Sequence, residues 1–120
     1  MKQKEITLCG LKVMIGYCFA TELAFKNFTG ANVDEFDPTN PEHIIYIILS
    51  AIAAYYQKEG TDAPVKDEDL MYHANPQEMI NALNEVLKLR ADWYQLPKGD
   101  TIDEPEKPKG ERKYRKPKNA

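Results

Sequence analysis

The chain is poor in the residue types on which most site chemistry depends. Its 120 residues include two cysteines and two histidines, too few soft ligands for a tetrahedral structural zinc site unless carboxylates or a second chain contribute. The six glycines stand at positions 10, 16, 30, 60, 99 and 110, too scattered for a dinucleotide fingerprint or a phosphate-cradling loop. No apolar run suffices to cross a bilayer: Ile44 to Tyr56 spans 13 residues and is interrupted by Ser50, against the roughly 20 required. The opening Met1-Lys2-Gln3-Lys4-Glu5 leads into a mixed stretch and not into an apolar leader, which predicts a cytoplasmic protein.

What is present suits a packed domain. Apolar residues make up 42% and charged residues 29% of the chain, close to an average soluble domain. The charge is divided. Residues 1 to 97 carry 8 Lys or Arg against 14 Asp or Glu, a net of −6, and residues 98 to 120 carry 8 against 5, a net of +3. An acidic body repels a phosphate backbone, so nucleic acid is an unlikely partner for it. Beyond Pro97 apolar residues dwindle to Ile102, Tyr114 and Ala120, with Pro105, Pro108 and Pro117 spread among charges. That shift predicts one folded domain over 1–97 and a disordered charged tail over 98–120. Within the tail, Lys107, Lys109, Arg112, Lys113, Arg115, Lys116 and Lys118 face Glu106 and Glu111, a net of +5. Such a tract contacts nucleic acid or an acidic partner, or simply remains solvated.

Periodicity predicts an α+β, mainly α-helical fold, with an N-terminal β-hairpin packed on about four helices. Ile6, Leu8, Val13, Ile15 and Tyr17 alternate, and with Gly10 between the runs they imply strands near 4 to 9 and 12 to 17. From Phe19 the period lengthens. Phe19, Ala20, Leu23, Ala24 and Phe28 are spaced for the inward face of a first helix that Gly30 ends. In the connection over 31–40, Val33 and Phe36 are expected to fold back on the core. Asn40-Pro41 starts a second helix that runs to about Lys58 and stops at Gly60. It is apolar almost all round, so in a body of this size one side is expected to need cover from another chain, a weak homo-oligomer included. Asp67 to Ala74 reads as a short helix with Leu70, Met71 and Tyr72 turned inward. Asn75-Pro76 opens a last helix with Met79, Ile80, Leu83, Val86, Leu87 and Trp93 on its apolar face.

Candidate chemistry is sparse. Asp69 and His73 lie four apart beside Asp67 and Glu68, a spacing able to hold a metal. Acids in a first helical turn also answer the helix dipole, and this plainer reading is preferred. Cys9 at the hairpin turn and Cys18 near its open end are on the order of 20 Å apart at strand rise, too far to bridge. Neither has a histidine signature that would make it a nucleophile. Tyr55, Tyr56, Trp93 and Tyr94 suit packing better than base stacking. No residue set supports catalysis or a cofactor, so the chain reads as a non-enzyme.

The order of these elements resembles the small tail assembly chaperones of long-tailed bacteriophages and prophages. The likeness is carried by Ile6-Thr7-Leu8-Cys9-Gly10, Val13-Met14-Ile15-Gly16-Tyr17-Cys18-Phe19-Ala20-Thr21-Glu22 and Phe28-Thr29-Gly30. It continues through the apolar helix Ile44 to Tyr56, the acidic Asp67-Glu68-Asp69-Leu70 and the amphipathic Gln77 to Tyr94, covering residues 5 to 97. The resemblance implies a cytoplasmic protein that binds the tape measure protein and tail tube subunits during assembly. Tyr46, Tyr55, Trp93 and Tyr94 are then the expected anchors, because aromatic residues dominate interface energetics. The alternative is a small regulatory or nucleic-acid adaptor acting through the basic tail.

Overall fold

The computed structural model of the protein describes residues 1 to 95. The expected disordered tail over 98–120, its seven basic residues and the last two positions of the expected folded part lie outside the described residues.

Two strands open the chain, β1 (Lys2–Leu8) and β2 (Leu11–Tyr17), paired antiparallel with Leu8 opposite Leu11 and Lys2 opposite Tyr17. The turn is Cys9-Gly10 rather than the expected Gly10-Leu11. Both residues have positive φ, 53° and 75°, the conformation that a two-residue hairpin needs to match strand twist. Glycine adopts it freely and a cysteine does not. The Cys9 position is held from outside the hairpin: its N–H donates to Glu78 Oε1 at 2.9 Å and its Sγ to the Asp69 carbonyl at 3.6 Å. The period-two pattern is realised, with Ile6, Leu8, Val13, Ile15 and Tyr17 all buried.

Four helices follow: α1 (Phe19–Thr29), α2 (Pro41–Glu59), α3 (Asp67–Tyr72) and α4 (Pro76–Trp93), with one 3₁₀ turn at Val33–Glu35 between α1 and α2. Their ends are written in the sequence. Asn40 Oδ1 accepts the Glu42 and His43 N–H groups, and Asn75 Oδ1 accepts that of Gln77. Gly30 and Gly60 close α1 and α2 in the left-handed conformation. Val33 folds back into the core and Phe36 packs against it.

The sheet lies across α2 and α4, β2 against the first and β1 against the second, and α1 packs on the flank of α2. Lys4 Nζ meets Glu85 Oε1 at 3.0 Å and ties β1 to α4. The Lys4 hydrogen bond also holds the Glu85 carboxyl below its usual range. The open edge of β2 meets α2 through Met14, whose N–H donates to the Tyr56 hydroxyl at 3.1 Å. Ile47, Ile48, Ala51 and Ile52 of α2 form the centre of the core with the strand residues, Phe25, Val65, Leu70 and Val86.

Three helical faces differ from expectation. In α1 the buried residues are Thr21 and Phe25, while Phe19, Leu23 and Phe28 are exposed, the first two by 63% and 64%. The β2–α1 junction sets this rotation. Thr21 Oγ1 donates to the Gly16 carbonyl at 2.9 Å and accepts the Cys18 N–H at 3.2 Å, drawing the Thr21/Phe25 side inward. In α3, which ends at Tyr72, two residues before the expected Ala74, Leu70 is buried but Met71 and Tyr72 face outward. In α4 the core side is Ala82, Val86 and Leu89, which leaves Ile80 exposed. In α2 no large apolar side chain is exposed outright, while Ile44, Ile45, Tyr46, Leu49, Tyr55 and Tyr56 are half-buried. Ser50, Ala51 and Ala54 are small and buried, which lets neighbouring elements approach closely.

Among the described residues, no helix is long and apolar enough to cross a membrane.

Candidate functional site

The most conspicuous surface lies where the start of α1 meets the end of α4. Phe19 and Leu23 sit one helical turn apart on the outer side of α1, and the Trp93 ring meets Phe19 edge-on at 5.6 Å between centroids. Beside them runs an open groove of about 390 Å³, lined by Phe19, Glu22, Leu23, Lys26, Asn32, Val33, Asp34 and Tyr94. On its α1 side the apolar Phe19 and Leu23 alternate with the charged Glu22 and Lys26. Its opposite wall is the 3₁₀ turn.

A polar network fixes the groove's end. Glu22 accepts hydrogen bonds from the Tyr17 hydroxyl at 2.7 Å and from the Tyr94 hydroxyl at 2.8 and 2.9 Å to its two oxygens. Arg90 donates through Nη2 to Asp34 Oδ1 at 3.0 Å, and its guanidinium carbon lies 5.3 Å from the Tyr94 ring centroid, within cation–π range. Its buried Nε makes no hydrogen bond and lies 3.9 Å from Glu22 Oε2, close enough for attraction and too far for a hydrogen bond. Burial pushes the Tyr17 hydroxyl well above its ordinary range, and the bond to Glu22 adds to this; the same causes in the same order raise Tyr94. The phenols therefore stay protonated and donate to Glu22, so the Tyr94 ring is clamped at the groove's edge instead of turning freely in solvent.

This arrangement unites two of the four expected anchors. Trp93 and Tyr94 stand together at the groove. Tyr46 is half-buried on the other flank of α1, stacked on Phe28 at 4.9 Å, and Tyr55 packs edge-on against Tyr56 further along α2. Sequence reasoning missed Phe19 and Leu23 as surface residues, having placed both inward. The signal that could have found them is Thr21 and Phe25, which together offer α1 a second inward face.

The other candidates are separate from this surface. Asp69 Oδ2 accepts the Lys66 N–H at 2.9 Å, and His73 is exposed at the end of α3. No group of three or more His, Cys, Asp or Glu side chains among the described residues could hold a metal ion. Cys9 and Cys18 are free thiols at opposite ends of the hairpin. Burial raises the Cys9 thiol above its ordinary range, helped by the nearby carboxylates of Asp69 and Glu78, which keeps it protonated and a poor nucleophile at neutral pH.

In comparisons with known proteins, no protein-family model, no curated protein and no solved structure matches the chain.

Proposed function

We propose that the chain is a non-enzymatic tail assembly chaperone of a long-tailed phage or prophage, which binds the tape measure protein and tail tube subunits while the tail is built. The observation that carries this reading is the exposed apolar side of α1, Phe19 and Leu23, joined to the groove at Trp93 and Tyr94. Contiguous apolar surface beside a polar rim suits reversible cover of another protein's apolar face and needs no reaction chemistry. The element order of the chain, a strand pair followed by a closing Phe28-Thr29-Gly30 and an apolar second helix, agrees with the resemblance.

Co-expression with the tape measure protein of the same genome tests the reading. The wild-type chain should keep that very long protein soluble, and Tyr94→Asp, which sets a carboxylate beside Glu22, should lose the effect while retaining the helical circular dichroism of the wild type. A wild-type chain that neither binds nor solubilises the tape measure and tube proteins ends the chaperone reading and leaves the basic-tail adaptor in its place.

A further inference from the structure

We propose that His43 is a pH-sensitive latch, which holds the connection between α1 and α2 while its ring is neutral and releases it when the ring takes up a proton. The proposal goes beyond the chaperone reading and does not depend on it.

The latch is one bond with exclusive chemistry. The Asp37 N–H donates to His43 Nδ1 at 2.9 Å. Only a neutral imidazole carries a lone pair able to accept it, and its use at Nδ1 fixes the ring as the tautomer protonated at Nε2. A proton on Nδ1 turns that acceptor into a second donor aimed at the Asp37 N–H. The bond and the charged ring therefore exclude each other. The half-buried ring lies edge-on to Phe25 at 5.3 Å and stacked on Phe36 at 6.1 Å between centroids, so two aromatic neighbours fix its orientation.

The charges around the ring pull in opposite directions. On α2 itself His43 stands in the first turn, where the helix dipole opposes a cation, and Glu42 beside it favours one. From the connection the Asp37 carboxylate also favours a charged ring, whereas α1 and Phe36 present uncharged rings. That carboxylate is already engaged: its Oδ1 accepts the Thr39 hydroxyl at 2.6 Å and the Thr39 N–H at 2.9 Å, and these bonds hold it below the usual carboxylate range, with the charge of His43 a smaller cause. An imidazolium drawn to it still offers no acceptor to the Asp37 N–H. The attraction changes how readily the latch opens and not what opening breaks.

The segment so fastened borders the groove. It carries Asn32, Val33 and Asp34, which line that surface, and Asp34 bonds Arg90 of α4. At its far end Asn40 caps α2. Between Asp34 and Asn40, the bond to His43 is the hydrogen bond that joins the segment to a helix. Its loss frees the stretch that runs from the groove wall to the start of α2.

The chain has two histidines, and the exposed His73 on the far side of α3 serves as the control. The full chain is titrated from about pH 8 to about pH 5, the range in which histidines change charge, and followed by NMR through both histidine rings and the Asp37 amide. At the alkaline end His43 should be the Nε2–H tautomer. As its ring gains a proton the Asp37 amide signal should move in step. Exchange of that amide with solvent, corrected for the pH dependence of exchange itself, should speed at least about tenfold, equivalent to about 1.4 kcal/mol. The amides of Ile52 and Val86 in the core should stay where they are. His43→Asn sets Oδ1 where Nδ1 stands, an acceptor that takes up no proton, so its Asp37 amide should be indifferent to pH over the same range, in which the Asp37 carboxyl remains ionised.

A His43 ring protonated at Nδ1 at the alkaline end overturns the proposal, as does a ring that stays neutral throughout. So does a proton taken up by His43 that leaves the Asp37 amide unmoved, or an Asp37 amide that follows His73 instead. A change spread evenly over the core amides is acid unfolding and not a latch, which also overturns it. If His43→Asn keeps the wild-type circular dichroism and yet shows the wild-type acid change at Asp37, another group drives that change and the proposal falls. If the variant folds poorly, the wild-type titration decides alone, since the tautomer, the coincidence of the His43 and Asp37 changes and the unmoved core are all read from it.

Discussion

Helices α1 and α2 exchange the roles that their compositions suggest. α2 is the more apolar and exposes no large apolar side chain, whereas α1 exposes Phe19, Leu23 and Phe28. The difference lies in their neighbours. α2 is central, packed by β2, α1, α4 and α3, while α1 is peripheral and rests mainly on α2. A central helix can bury residues on nearly every side, provided small ones such as Ser50, Ala51 and Ala54 let the neighbours in. A peripheral helix needs one inward stripe. Thr21 and Phe25 supply it, Phe28 and Phe19 keep ring contacts with Tyr46 and Trp93, and Leu23 is left largely outside the fold. Apolar surface that folding does not use is the better pointer to a partner.

The largest expected effect lies in α2. Ile52 is fully buried in the core, so Ile52→Ala should cost about 2–5 kcal/mol, as other large-to-small core changes do, read as a lowered urea midpoint. A cost under about 1 kcal/mol would mean that α2 is less enclosed than its packing indicates.

Next comes the hydroxyl that joins β2 to α1. Tyr17→Phe removes the bond to Glu22 and should cost about 1 kcal/mol at neutral pH. It also changes the pH dependence. The folded-state pKa of Tyr17 is raised above the ordinary value of 10.0 by burial and by Glu22. Its contribution is therefore complete below about pH 10 and falls as the pH rises beyond it. Wild-type stability should drop more steeply than that of Tyr17→Phe between pH 9 and pH 11, in urea melts run side by side. Parallel curves would show that the phenol is not protonated by its surroundings as described, with Tyr94 the remaining candidate for any shared slope.

The legible parts of the chain were those set by local rules. Strand alternation from Ile6 to Tyr17 placed the hairpin, and the Asn40-Pro41 and Asn75-Pro76 pairs placed the starts of α2 and α4, because capping and period two act within a few residues. The rotation of α1 was not legible. Phe19, Ala20, Leu23, Ala24 and Phe28 match a helical face as well as Thr21 and Phe25 do, and the choice falls to the Thr21 bond with Gly16, a contact that exists only once β2 is in place. Val65 was hidden for the same reason: it lies in a loop of turn formers and is buried by elements distant in sequence. Of the surface site, the aromatic pair Trp93 and Tyr94 was visible as residue types. Its juxtaposition with α1 was not, since α1 and the end of α4 lie some seventy residues apart in the chain.

A smaller effect separates the two helix starts. α2 begins with the capping Asn40, whereas α1 begins at Cys18, whose extended backbone is right for a cap and whose side chain supplies no cap bond. Cys18→Ser would place a hydroxyl acceptor beside the free N–H groups of the first turn. The expected gain is about 0.5–1 kcal/mol in urea denaturation, within the range that good caps contribute. No gain would mean that the Thr21 hydroxyl, already bonded to the Cys18 N–H, leaves the new hydroxyl no room to turn toward the helix.

The smallest expected effect sharpens the comparison most. Leu23 is 64% exposed on α1 and is assigned here to a partner and not to the fold. Leucine and glutamine have nearly equal helix propensity, so Leu23→Gln changes the surface without changing the helix. Stability should move by no more than about 0.5 kcal/mol, as for surface positions in general, while solubilisation of the tape measure protein weakens. Ile52→Ala should show the opposite pattern, with stability lost and solubilisation of the tape measure protein retained by the molecules that remain folded. If Leu23→Gln instead lowers the urea midpoint by an amount comparable to a core substitution, then α1 buries that residue, the surplus is absent, and the division of labour between α1 and α2 has been drawn in the wrong place.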